Sequence, residues 1–565
     1  MELSTDFDYK HSQVQGINFK DLMILVGIGL LCTGLLWTWN SYFLSPKLAY
    51  INLLPSFITV ILWLSFCCSQ IEHNYWRWFS FAVGFILNLR LPLIVDRGWQ
   101  LPVEILSWLS FIYVITVIFI PIKNYFLSRQ KLIISLIGLA LVLGNTLTHV
   151  GLNSPFTYSF RLINHLPSDF HPGQDNNHTW ECSYEGTTIP VHCDMRHFIA
   201  EEKIFTERDY DASFSVFLRR FYYGYLSSLV GFGEHRWYAS VGWNVLFWLL
   251  ASVALHHTCL LFGLKESIAD LAFLCGCCSW GMISFVAQPA PYLTAYALAL
   301  IIPWSALFLV KKDMNTAQTM LLGTIFSLPF TVYDIYPVAI SAGLLFGLGR
   351  KYKLGLFFII LQVAIPLIWT KIVLPYGLGT VGDLRNTQVI SNSLHWWLQA
   401  IKAASLPLVG LYLQRGITSF AIANFGIGAI GTAIFLVLLF WRSPRLNNWL
   451  DIWQSKDNSA SIDRSMLGVL MGSVAGLTLL ASIFLTPEAF YWSPNTGMLP
   501  RFNYYSFGVS IVALASLVVA VTDKLAVLWR FALPSAVLLI ACLDITGIVS
   551  VPLAFDYGEL SLVWK

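Results

Sequence analysis

The chain has 565 residues, 56% of them hydrophobic and 12% charged, with a formal net charge of +3. Soluble domains are about a quarter charged, so this balance, with a mean hydropathy of +0.65, excludes a soluble globular protein and indicates an integral membrane protein. The basic residues are scattered among short polar segments instead of forming a stripe, which leaves nucleic-acid binding without support.

The first twenty residues are polar and mixed in charge and lack the basic stretch of a cleaved signal peptide. The apolar run from about residue 22 is therefore read as an anchored helix. A span needs about 20 mostly apolar residues, and runs of that kind place helices near 22–44, 49–70, 78–96, 102–121 and 132–151. After a polar interruption come 240–263, 268–288, 292–311, 317–334, 336–349 and 354–374, and later 418–441, 465–486, 505–523 and 528–550. The segment 394–413 is apolar but holds Lys402 and follows His395-Trp396-Trp397. It either spans or lies in the interface as an aromatic-anchored helix. The expected fold is thus all-α, a polytopic bundle of about 13–15 spans with a large extracytoplasmic loop carrying short interfacial helices.

Four parts are expected along the chain. Residues 1–131 hold four N-terminal spans, and 132–440 form a membrane core that includes the loop 151–238. A polar connector follows at 441–464, then C-terminal spans at 465–565 with a short loop at 487–504. Arg77, Lys123, Arg129, Lys131, Lys311, Lys312, Arg350, Lys351, Lys353, Arg442, Arg445, Lys456 and Arg464 mark cytoplasmic segments under the positive-inside rule. They alternate consistently if 394–413 does not cross. On that topology 151–238, 375–417 and 487–504 share the extracytoplasmic face of the cell (plasma or inner) membrane.

The loop 151–238 is where chemistry is expected, because polar loops of this size usually carry function. It holds six of the 12 histidines, among them His171, His178, His192 and His197. Asp169 and Asp175 flank His171-Pro172-Gly173, a turn that exposes both carboxylates; either could act as general base, or the stretch is a plain turn. Asp209-Tyr210-Asp211 sets two carboxylates two residues apart, so both could hold one divalent cation, Mg or Mn. A solvated acidic turn is the plainer reading. Eight of the 10 cysteines lie in apolar segments and read as small buried hydrophobes, including Cys275-Gly-Cys277-Cys278 despite its metal-like spacing. Cys182 and Cys193 fall in the loop, where a disulfide is expected. The His/Cys cluster around them matches no closed zinc pattern.

Further on, Phe214 to Leu226 has apolar residues at helical spacing and carries Arg219 and Arg220. This pattern describes an interfacial helix, aromatic side down and cationic side toward headgroups. Pro500-Arg501-Phe502 stands where the chain re-enters the bilayer, and Arg501 there either pairs with a phosphate or snorkels. The acids singled out within spans are Asp334 and Asp544. Asp334 is expected to face the external cavity, because a lipid-facing carboxylate is costly.

In layout the chain resembles the GT-C superfamily of polytopic glycosyltransferases. The resemblance is carried by Asp175 after a span, Asp209-Tyr-Asp211, Phe221-Tyr-Tyr-Gly-Tyr, the run Leu229-Val-Gly-Phe-Gly-Glu-His-Arg236 leading into Trp243-Asn, and Pro500-Arg501-Phe502. It covers 132–550 loosely. The four preceding spans are extra, and His171-Pro-Gly-Gln-Asp175 stands where an adjacent Asp-Glu pair is usual. The resemblance implies transfer of a sugar from a polyprenyl-phosphate donor to a glycan, lipid or protein acceptor at the extracytoplasmic face. Asp175, or Asp169, would be the base; Arg501, Arg219, Arg220, His171 and Asp334 would bind substrate. A lipid-linked polysaccharide polymerase or ligase, or a multi-pass transporter or flippase, are the alternatives.

Overall fold

The computed structural model describes residues 18–43, 49–50, 52–88, 182–184, 187–189, 221–228, 236–277, 291–311, 314–332 and 351–373. Single positions within 105–117 and 342–346, at 286 and within 511–515 are also described. In chain order the elements are α1 (Phe19–Phe43), α2 (Leu53–Gln70), α3 (Asn74–Asn88), strands β1 (Cys182–Tyr184) and β2 (Thr187–Ile189), and α4 (Phe221–Ser228). Then follow α5 (Arg236–Leu261), α6 (Glu266–Cys277), α7 (Tyr292–Lys311), α8 (Thr316–Phe326), α9 (Pro329–Val332), α10 (Tyr352–Ile368) and a π-helical turn, Trp369–Val373.

Five stretches among the described residues are long and apolar enough to cross a membrane: Phe19–Tyr42, Leu53–Gln70, Gly242–Leu261, Leu293–Val310 and Tyr352–Val373. They match runs expected from hydropathy alone. In the first of them three hydroxyl groups donate to the preceding turn: Thr33 to Gly29 O at 2.7 Å, Thr38 to Gly34 O at 2.9 Å and Ser41 to Trp37 O at 2.8 Å. The expected spans at 78–96, 268–288 and 317–334 are described in part, as α3, α6, and α8 with α9; those at 102–121, 336–349 and 505–523 are described only at single positions, and 132–151, 418–441, 465–486 and 528–550 lie outside the described residues.

The expected span at 317–334 is divided. α8 opens on a capping box, in which Asn315 Oδ1 accepts from Gln318 N at 2.8 Å and Gln318 Oε1 accepts from Asn315 N at 3.1 Å. It closes with two tightened bonds, Ser327 N to Thr324 O at 2.9 Å and Leu328 N to Ile325 O at 3.1 Å. Pro329 then restarts the chain as α9, because the residue before a proline is driven off the helical region and proline itself brings no N–H.

Two helix groups make up the described bundle. In one, α1, α2 and α3 pack together and onto α8 around Leu25, Leu36, Val60, Leu64, Cys67 and Phe81, with Ala317 and Met320 of α8 against them. In the other, α5 packs along α6 and α7. α8 touches both groups and is covered by α10, where Phe326, Phe346 and Phe358 form an aromatic cluster with centroids 4.9–5.8 Å apart. The first three helices are thus joined to the later part of the chain by α8. The hairpin β1–β2 is antiparallel, with Ser183 opposite Thr188.

Candidate functional site

α4 is a short helix in the expected loop, and it is buried in protein. Phe221, Tyr222, Tyr225 and Leu226 are each 5% exposed or less. The sequence pattern had suggested that this aromatic side lies in the membrane surface; α2, α5 and α9 cover it instead. Phe221 sits 4.0 Å, centroid to centroid, from Trp369 in the π-helical turn. Tyr225 Oη and Ser56 Oγ share a hydrogen bond of 3.1 Å, and Tyr222 Oη lies 3.5 Å from Thr59 Oγ1. Burial pushes the Tyr222 phenol above its ordinary range; the Thr59 contact pulls back part of that shift, and Tyr225 adds to it. The phenol therefore stays neutral and serves as a hydrogen-bonding anchor.

Two tryptophans of α5 tie down neighbouring helix ends. The last carbonyls of a helix lack partners inside it. Trp243 Nε1 donates to Leu226 O in the last turn of α4 at 2.9 Å, and Trp248 Nε1 donates to Cys277 O at the end of α6 at 2.7 Å. Asn244 Nδ2 donates to Val286 O at 3.1 Å, and Asn244 Oδ1 accepts from Thr294 Oγ1 at 3.3 Å. Asn244 was one of the residues carrying the family resemblance; here it bridges α5 to α7 from a fully buried position.

A second cluster escaped the sequence reading. α5 ends in a Schellman turn, with Gly263 N bonded to Leu260 O at 2.8 Å and Leu264 N to Cys259 O at 3.1 Å. Gly263 has φ 74°, which a side chain would strain. The turn folds α6 back along α5, so residues seven before and seven after it, His256 and Asp270, face each other. His256 Nε2 and Asp270 Oδ1 are 3.0 Å apart, with side chains 3% and 7% exposed. Asp270 is thus an acid within the expected span 268–288, in addition to Asp334 and Asp544. Next to it, Trp304 Nε1 donates to His257 Nδ1 at 3.1 Å, and Phe308 packs against the same imidazole. The signal was present in the sequence as two adjacent histidines in an apolar run and one aspartate beyond the glycine.

Of the residues expected to carry chemistry, Cys182 lies in β1, where its backbone faces Ile189. Asp169, His171, Asp175, Cys193, Asp209, Asp211, Arg219, Arg220, Asp334 and Arg501 lie outside the described residues. By chain position Arg220 directly precedes α4, and Asp334 comes two residues after α9, which packs on α4. Among the described residues, no group of three or more His, Cys, Asp or Glu is placed to hold a metal ion. Compared with known proteins, the chain matches no family model, no curated protein and no solved structure.

Proposed function

We propose that this multi-pass protein is a GT-C-like glycosyltransferase that moves a sugar from a polyprenyl-phosphate donor to an acceptor at the extracytoplasmic face. The observation that supports the reading is the seating of α4. A transferase using a lipid-borne donor needs its polar loop fixed against the helix ends beside the lipid. α4 fixes the chain immediately after Arg219 and Arg220 against α2, α9 and the π-helical turn. Arg219, Arg220 and Arg501 would hold the carrier phosphate by charge-assisted bonds, and His171 and Asp334 would contact substrate. Asp175, or Asp169, would take the acceptor proton. Asp209 and Asp211 would hold a divalent cation where one is used, neutralising charge on the phosphate. A Cys182–Cys193 disulfide would brace the loop.

The test is release of polyprenyl phosphate from a panel of labelled lipid-linked sugars by the purified protein in lipid. Asp175→Asn keeps the shape and removes the base, so the rate should fall by about 10²–10⁴ with folding and donor binding retained. Arg501→Ala should weaken donor binding instead. Full activity in Asp175→Asn, Asp169→Asn and Asp209→Asn alike would end this reading. A transporter is the second reading, favoured by the buried His256–Asp270 pair, since transport proteins place paired ionisable groups inside the bundle.

A further inference from the structure

We propose that His256 and Asp270 form a proton-binding site inside the helical bundle, loaded from the end that carries the Gly263 turn. The inference stands on this pair and does not depend on the transferase reading.

Three observations converge. The pair sits in apolar helices, where ionisable side chains are rare, pair with one another and are read by default as functional sites. Its geometry is a direct contact, His256 Nε2 to Asp270 Oδ1 at 3.0 Å, so one proton can reside on either partner without changing the net charge. Asp270 Oδ2 is buried and, among the described residues, has no hydrogen-bond partner. A carboxylate kept only as a clamp is normally satisfied at both oxygens. An oxygen left open in that position has an acceptor lone pair available for one more proton.

The turn sets how deep the pair lies. At 1.5 Å of rise per residue, seven residues put the pair about 10 Å from Gly263. Lys265 and Glu266 are exposed beside that turn, and Glu266 is one helical turn from Asp270 on α6. His257, half-buried, faces α7 instead, against Trp304 and Phe308. Among the described residues, the titratable groups on the elements packed around the pair are these. α5 contributes His257 and Cys259, and α6 contributes Glu266 and, at its far end, Cys277. α7, packed on α5, carries no charged side chain before Lys311; its Tyr292 and Tyr296 lie toward the other end, and Trp304 and Ser305 are the polar groups nearest the His257 contact. No fixed cation among these neutralises Asp270 in place of the imidazole. In the loading step a hydronium ion gives its proton to Oδ2: one O–H bond forms on the carboxyl, one breaks on the hydronium to leave water, and the pair gains one positive charge.

The experiment is infrared difference spectroscopy of the full chain in ester-free detergent, with 13C-labelled aspartate, as pH is lowered. The expected result is a buried carboxylic-acid C=O band that shifts with the label, grows as pH falls, and is lost in Asp270→Asn. A band absent across the whole range in which the protein stays folded, or one unchanged in Asp270→Asn, would overturn the proposal. Should Asp270→Asn fail to fold, His256→Gln keeps the carboxyl and removes its partner. The pH at which the band grows should then move, and an unmoved band would overturn the proposal equally.

Discussion

At the scale of single residues, the glycines separate the close helix contacts from the open ones. Helices in lipid gain little from hydrophobic burial against each other, because the lipid tails are equally apolar; close van der Waals approach matters more. A Cβ added at Gly355 would lie 2.6 Å from Phe346 Cβ, and one added at Gly323 would lie 2.6 Å from Phe358 Cε1. The first neighbour is an atom fixed to its backbone, so it cannot swing aside. A Cβ at Gly27 would meet nothing within 4 Å among the described residues. Gly355→Ala should therefore destabilise the bundle by about 1–3 kcal/mol through overpacking. Gly27→Ala should be neutral or slightly stabilising, since alanine is the better helix former by roughly 1 kcal/mol. Thermal unfolding of both variants in the same detergent checks the contrast; equal effects would remove Gly355 from the packing argument. Neither glycine declares its role in the sequence, where both sit in similar apolar runs. The difference is set by which face of each helix meets a neighbour, and periodicity blurs that face when a helix is apolar all round.

At the scale of elements, the sequence was most legible where length and hydropathy decide the outcome. α1, α2, α5, α7 and α10 all lie on runs read as spans. Legibility ended where partners decide. α4 has the composition of a surface-lying helix, yet its aromatic face is enclosed because Trp369 and the pair Ser56 and Thr59 come from two elements distant in sequence, and Trp243 from the helix that follows it. The His256–Asp270 contact likewise needs the Gly263 turn to be read as a hairpin before the two residues can be paired. The enclosed setting of α4 has a measurable consequence. Phe221 is fully buried on Trp369, and removing a buried aromatic side chain costs about 3–5 kcal/mol. An eight-residue helix is marginal without its packing, so Phe221→Ala should release α4 selectively. In hydrogen exchange, the amides of Phe221–Ser228 should lose protection while those of α5 and α7 keep theirs. Unchanged protection in α4 would show that the tyrosine hydrogen bonds and Trp243 suffice to hold it.

At the scale of the whole molecule, the contacts among the described residues sort into two ends. Asn18 N bonds to Thr316 Oγ1 at 3.2 Å, and Lys351 Nζ bonds to Leu309 O. These residues gather the start of α1, the start of α8, the end of α7 and the start of α10, all of which the positive charges assign to the cytoplasm. Ser56 with Tyr225, Phe221 with Trp369, and Asn244 with Thr294 gather the opposite helix ends. No contact in either set joins an end assigned to one side with an end assigned to the other. The sorting follows from helices that run alternately in opposite directions and would be the same with the two sides exchanged, so it assigns neither end to a side. The side of each end rests on the positive charges alone, and that reading predicts a labelling pattern. In a background with the native cysteines replaced, Ser183→Cys in the β hairpin should react with a membrane-impermeant maleimide on intact cells. Asn315→Cys, at the cap of α8, should react only after permeabilisation. Reaction of Asn315→Cys on intact cells would invert the assignment, place the loop 151–238 inside, and remove the extracytoplasmic face from the proposed transferase. The same inversion would put the Gly263 turn, and with it the entrance to the His256–Asp270 site, on the outer surface, so one experiment orients both sites at once.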